Sequence, residues 1–118
     1  MQILYVDDGQ ATDSLVRSLE VFEHETSVAR TVQEAKNLLK DRSFNVILSD
    51  GLGGNWRQVY DVAHERNLPV VVLSSNSDIE REITDLGLEG ISFLGRGASL
   101  FDIGNTLEEA GRRKREHE

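Results

Sequence analysis

Five short apolar runs, each followed by a segment whose apolar residues recur at helical spacing, constrain this chain more than any other feature. The runs are Ile3 to Val6, Thr26 to Ala29, Phe44 to Leu48, Pro69 to Leu73 and Ile91 to Leu94. Pro69 to Leu73 is the most hydrophobic of them and must be covered on both faces, which places it inside a parallel sheet. Between the runs, Leu15, Val16, Leu19 and Phe22 predict a first helix, with Thr12 or Asp13 as its N-cap. Thr31 followed by Glu34 forms a capping box ahead of Val32, Ala35, Leu38 and Leu39. Val59, Val62 and Ala63 mark a third helix, Asp78 to Leu86 a short polar fourth closed by Gly87, and Ser99 to about Arg113 a fifth carrying Leu100, Ile103 and Leu107. The expected fold is α/β: a (βα)5 doubly wound five-stranded parallel sheet with helices on both faces, since right-handed crossovers put them there. Five units are too few for an eight-fold barrel. No linker or low-complexity stretch interrupts the pattern, so residues 1–118 read as a single domain.

Composition narrows the functional classes. Cysteine is absent and proline occurs once, which removes disulfide scaffolds and cysteine-ligated metal sites. The 13 Lys plus Arg against 21 Asp plus Glu give a net charge of −8. That balance argues against direct nucleic-acid binding, which rests on Lys and Arg neutralising phosphates. The apolar stretch Leu68 to Leu73 is far too short to cross a bilayer, and MQILYVDD lacks a basic leader. A cytoplasmic protein with no membrane partner is expected. Arg112, Arg113, Lys114 and Arg115 read as the cationic end of the last helix. His24, His64 and His117 have no metal-ligand spacing and read as solvated.

In an open doubly wound sheet, ligands bind outside the carboxyl ends of the strands. Those ends carry Asp7 and Asp8 after the first run, Asp50 after the third, Ser74 and Ser75 after the fourth, and Phe93 and Arg96 at the fifth. Three carboxylates in one pocket repel one another unless something positive joins them. Hard oxygen ligands with no His or Cys in the pattern favour Mg²⁺. A carboxylate is also a nucleophile towards phosphorus. Taken singly, each residue has an ordinary reading: Asp7 and Asp8 as a turn, Ser74 and Ser75 as helix caps, Phe93 and Trp56 as packing, Arg96 as a solvated loop charge. The glycines of Gly51-Leu52-Gly53-Gly54 are not followed by the Lys-Ser/Thr pair of a nucleotide-binding loop.

ILYVDD at 3–8, VILSD at 46–50, VVVLSSN at 70–76 and SFLGR at 92–96 together resemble the receiver domain of two-component response regulators, over essentially the whole chain. The resemblance implies a flavodoxin-like receiver fold and a signalling module rather than an enzyme. It makes Asp50 the phosphoacceptor and Asp8, Asp7, Asp50 and the Leu52 backbone carbonyl the Mg²⁺ site. Ser74 and Phe93 become the switch pair, and Arg96 the cation on the phosphoryl group. The implied partners are a histidine kinase or histidine phosphotransfer protein, an unknown downstream protein, and a second copy meeting through the fourth helix, fifth strand and fifth helix. Two departures stand out. Arg96-Gly97 replaces the usual Lys-Pro with its common cis bond, and the turn after Asp50 lacks the usual Pro. They motivate an alternative, a receiver-like interaction domain independent of phosphorylation. A third reading, an aspartate-nucleophile phosphohydrolase, needs an acid two positions beyond its nucleophile, where this chain has Gly9 and Gln10.

Overall fold

The computed structural model describes residues 1–9, 12–52 and 55–116, and the side chains of 12–14 and 113–116 lie outside the description. In chain order the elements are β1 (Gln2–Val6), α1 (Thr12–Val21), β2 (Glu25–Ala29), α2 (Val32–Asp41), β3 (Val46–Asp50), α3 (Trp56–Glu65), β4 (Val70–Ser74), α4 (Asp78–Leu86), β5 (Ile91–Gly95) and α5 (Leu100–Glu116). The strands form one parallel sheet in the order β2-β1-β3-β4-β5. The expected five-fold alternation and doubly wound sheet are what the chain adopts.

Two core layers follow from the period-two alternation of the strands. Leu4, Val6, Ile47, Val70 and Val72 point to one face and pack with Ala35 and Leu39 of α2, Trp56, Val59 and Ala63 of α3, and Ile79 of α4. Ile3, Tyr5, Val46, Leu48, Val71 and Leu73 point to the other, against Leu19 of α1 and Ile103, Leu107 and Ala110 of α5. Each fully buried aliphatic side chain contributes roughly 1.5–3 kcal/mol. Trp56, expected to pack at the start of the third helix, is the first residue of α3 and is 1% exposed.

Strand ends differ from expectation in an informative way. β3 and β4 extend through Asp50 and Ser74 and begin at Val46 and Val70, after Phe44 and Pro69. Pro69 has no N–H to give a ladder, yet its carbonyl accepts the Ile47 N–H. At α2, Thr31 Oγ1 accepts the Glu34 N–H at 3.1 Å. The return arm of the capping box, however, lands one residue early, with Glu34 Oε2 accepting from Arg30 N–H at 2.6 Å. Gly87 closes α4 in the left-handed region with φ +61°. Thr12 is already helical, so the N-cap of α1 falls outside the described residues.

Two expectations at the end of α1 are overturned. Phe22 lies beyond the helix and is half exposed. His24, read as solvated, is buried at 8% exposure. The cause is the turn: Glu23 takes φ +66°, His24 N–H donates to the Leu19 carbonyl, and the ring is brought between the chain start and α5. There Nδ1 lies 3.3 Å from the Met1 amino group and Nε2 3.3 Å from Glu108 Oε1. His64 is exposed and stacks on Tyr60, while His117, Gly53 and Gly54 lie outside the described residues.

Candidate acidic site at the carboxyl ends of the strands

From β1 the chain passes to β2 on one side, while β3 pairs on the other. The sheet therefore reverses its winding between β1 and β3, and a crevice opens at their carboxyl ends. Asp7 and Asp8 follow β1 and Asp50 ends β3, so the topology alone delivers all three carboxylates to one place. Their oxygens lie within 4.8 Å of one another. Asp7 is buried, Asp50 partly buried and Asp8 exposed.

Alternation sorts the side chains further. Tyr5, Asp7, Leu48 and Asp50 share the face covered by α1 and α5. Asp7 Oδ1 accepts the Gly9 N–H at 2.7 Å, and its Oδ2 accepts the Tyr5 phenol at 2.6 Å. Asp50 Oδ1 accepts the Gly51 N–H at 2.8 Å and Arg96 Nη2 at 2.7 Å. The same Arg96 nitrogen is 3.9 Å from Asp7 Oδ2. The hydrogen bond to Asp50 is the main reason the guanidinium is held above its already high usual value, with the Asp50 charge adding to it against a desolvation cost. Burial first, and then the Asp7 hydrogen bond and charge, push the Tyr5 phenol well above the ordinary tyrosine range, so it stays a donor.

Ser74, at the end of β4, is buried, and its Oγ accepts the Asn76 N–H at 3.1 Å. A Cβ added to Gly51 would come within 3.1 Å of that oxygen and 3.0 Å of Ile79 Cδ1, so the backbone directly after Asp50 lies against Ser74 because residue 51 has no side chain. Ser75 and Asn76 are exposed; Asn76 Oδ1 accepts the Asp78 N–H at 3.0 Å, inside the turn that leads into α4. Phe93 pairs in register with Val72 and packs, half buried, on the α2, α3 and α4 face. That is the face towards which alternation turns Ser74. Leu52 sits at φ +52° with its side chain buried in the core, and its carbonyl accepts the Asn55 N–H at 3.1 Å.

Asp7, Asp8, Asp50, Leu52, Ser74 and Arg96 thus stand at the carboxyl ends of their strands, with Arg96 reaching Asp50 from across β4, whereas Phe93 lies in the middle of β5. Among the described residues there is no cis peptide bond, the loop after β5 included. Sequence reasoning missed Tyr5. The available signal was its position two residues before Asp7 on a strand, which puts both on one face.

The donor set consists of hard carboxylate oxygens and fits Mg²⁺. Summed formally, three carboxylates and one guanidinium leave −2, which a divalent ion neutralises.

Solved structures share this open, doubly wound parallel sheet along nearly the whole chain. A response regulator receiver domain protein (CheY-like) from Methanospirillum hungatei superposes with a TM-score of 0.82 at 20% identity, covering 99% of this chain and 98% of that one. A response regulator receiver domain protein from Clostridium thermocellum gives 0.79 at 19%, with the same coverage. The chemotaxis protein CheY4 of Vibrio cholerae gives 0.78 at 19%, over 92% of this chain and 97% of that one. The fold is therefore the flavodoxin-like receiver fold. No family model matches the sequence, and no curated protein matches it.

Proposed function

We propose that this chain is a response-regulator receiver that accepts a phosphoryl group on Asp50 in a Mg²⁺-dependent way and acts through protein contacts rather than as an enzyme. The observation that carries the reading is the convergence of Asp7, Asp8 and Asp50 within 4.8 Å, with Arg96 2.7 Å from Asp50. Asp7, Asp8, Asp50 and the Leu52 carbonyl would hold the ion, which when bound offsets negative charge on the incoming phosphoryl oxygens.

The chain's own residues do the rest. Asp50 Oδ2 takes no part in the bonds to Gly51 and Arg96, and it is the oxygen that attacks phosphorus. A new O–P bond forms as the bond to the donor's histidine nitrogen breaks, and that nitrogen keeps the electron pair. Arg96 follows the developing charge from the carboxylate to a phosphoryl oxygen, offering two donors where an ammonium offers a point charge. Ser74 Oγ, on the far side of Gly51, donates to a second oxygen. Phe93, on the same face of the sheet, responds to the movement of Ser74. The donor is a histidine kinase or histidine phosphotransfer protein in the cytoplasm. The output surface is α4, β5 and α5, against a downstream protein or a second copy.

The Arg96–Asp50 ion pair also favours one other reading, a receiver-like interaction domain whose pocket is closed by its own guanidinium. The deciding experiment titrates Mg²⁺ and then beryllofluoride, an aspartyl-phosphate mimic, while following Trp56 fluorescence in wild type and Asp50→Asn. Mass spectrometry after acetyl phosphate treatment accompanies it. A Mg²⁺-dependent optical change and a single phosphoryl adduct, both lost in Asp50→Asn, are expected. Absence of both adduct and Mg²⁺ binding establishes the constitutive reading instead. Steady turnover of a generic phosphomonoester is the result that would point to a phosphohydrolase.

A further inference from the structure

Tyr5 has no task in the scheme above. Position 5 lies inside a parallel strand whose neighbours in the layer are Ile3, Val46, Leu48 and Val71, a setting that suits a branched aliphatic residue. A buried hydroxyl there is costly unless it is bonded. Tyr5 is 2% exposed, and its O–H donates to Asp7 Oδ2 at 2.6 Å. The other oxygen of Asp7 accepts the Gly9 N–H at 2.7 Å. With a fixed donor on each oxygen, the plane of the Asp7 carboxylate is set before any ligand arrives. Asp8, by contrast, is exposed.

We propose that Tyr5 is a positioning residue that fixes the Asp7 carboxylate as a divalent-cation ligand through its phenolic hydrogen bond and thereby sets the cation affinity of the pocket. This rests on the divalent-cation reading of the acidic site. Two effects run in the same direction. An oriented carboxylate loses no rotational freedom when the ion binds, which is what outer-layer partners of metal ligands supply. Tyr5 also keeps Oδ2 bonded, whereas in its absence the next donor is Arg96 Nη2, 3.9 Å away. Arg96 then closes on Asp7 as well as Asp50, and the internal cation competes harder with the external one.

The test uses the full chain as wild type, Tyr5→Phe and Tyr60→Phe. Tyr60 is a suitable control because the protein has two tyrosines and the Tyr60 hydroxyl donates to the Glu89 carbonyl. Mn²⁺ affinity is read from the free-ion paramagnetic resonance signal, and Mg²⁺-induced tyrosine difference absorbance from near-ultraviolet spectra. Tyr5→Phe is expected to weaken Mn²⁺ binding by about tenfold or more and to lose the difference spectrum, whereas Tyr60→Phe keeps both. Wild-type affinity in Tyr5→Phe overturns the proposal, as does a difference spectrum that survives in it. If Tyr5→Phe does not fold, Tyr60→Phe decides, because its sole tyrosine is Tyr5 and Mg²⁺ must shift that absorbance. Failure of wild type itself to bind Mn²⁺ takes down the divalent-cation reading and this inference with it; wild-type binding with an indifferent Tyr5→Phe takes down only the inference.

Discussion

Replacing Arg96 with alanine separates two roles that the pocket assigns to one cation. Its Nη2 lies 2.7 Å from Asp50 Oδ1 and 3.9 Å from Asp7 Oδ2, while 42% of the side chain remains exposed. Exposure limits the ion pair to about 1 kcal/mol of folding free energy. Removing the guanidinium should therefore lower Tm by about 3–5 °C in metal-free buffer. Its effect on a divalent ion has the opposite sign. Taking a separation of about 5 Å and a water-like dielectric, a +1 and a +2 charge repel by roughly 1.7 kcal/mol, or about 10- to 20-fold in affinity. Arg96→Ala should thus be less stable without metal and yet bind Mn²⁺ about 10- to 20-fold more tightly at low ionic strength. The gap should narrow as salt is raised through the screening range. Calorimetric titration of the two proteins at two salt concentrations reads all of this. Equal or weaker binding by a folded Arg96→Ala would refute the reasoning, for it would mean that Arg96 does not carry its charge into the pocket in solution.

Gly51→Ala drives a methyl to 3.0 Å from Ile79 Cδ1 and 3.1 Å from Ser74 Oγ, so a stability loss of about 1–3 kcal/mol is expected in urea melts. An unchanged midpoint would show that α4 yields freely. Thr31→Ala removes the acceptor of the Glu34 N–H and should cost about 1 kcal/mol by the same assay, whereas Thr31→Ser should be nearly neutral. The pH dependence carries a sign fixed by Tyr5. Its phenol is raised above the ordinary value of about 10, so its contribution is fully present below that pH and is lost as pH climbs towards the folded-state value. The urea midpoint of wild type should accordingly fall more steeply above pH 10 than that of Tyr5→Phe, and parallel curves would contradict this.

The architecture was legible because the central strands β1, β3 and β4, buried on both faces, must be apolar, and they alternate with segments of helical spacing and with the more polar edge runs of β2 and β5. Strand boundaries were displaced for a reason tied to function. Hydropathy marks where apolar residues stop, whereas the ladders run on through Ser49, Asp50 and Ser74, polar residues at the edge where the crevice lies. The three aspartates could be gathered from sequence because their positions after strands are topological. Tyr5 was missed because a tyrosine inside ILYV reads as one more core residue, although its place two residues before Asp7 on a strand already put both on one face. His24 escaped because its burial depends on the left-handed Glu23 and on Glu108, 84 positions away in sequence by the difference of their numbers. Periodicity does not encode a turn that buries a polar ring against a distant helix.

Leu52 holds a conflict that a stability selection would expose. Its backbone, at φ +52°, suits glycine or asparagine, and a leucine there is disfavoured by roughly 1–2 kcal/mol. Its side chain is buried in the same layer as Trp56 and Val59, where a large apolar group is favoured by a comparable amount. In a saturation library graded by folding alone, position 52 should tolerate two chemically unrelated groups, small left-handed formers and unbranched apolar residues, with β-branched ones excluded. The turn beside Asp50 is thus a point where one sequence position answers to two different vocabularies at once.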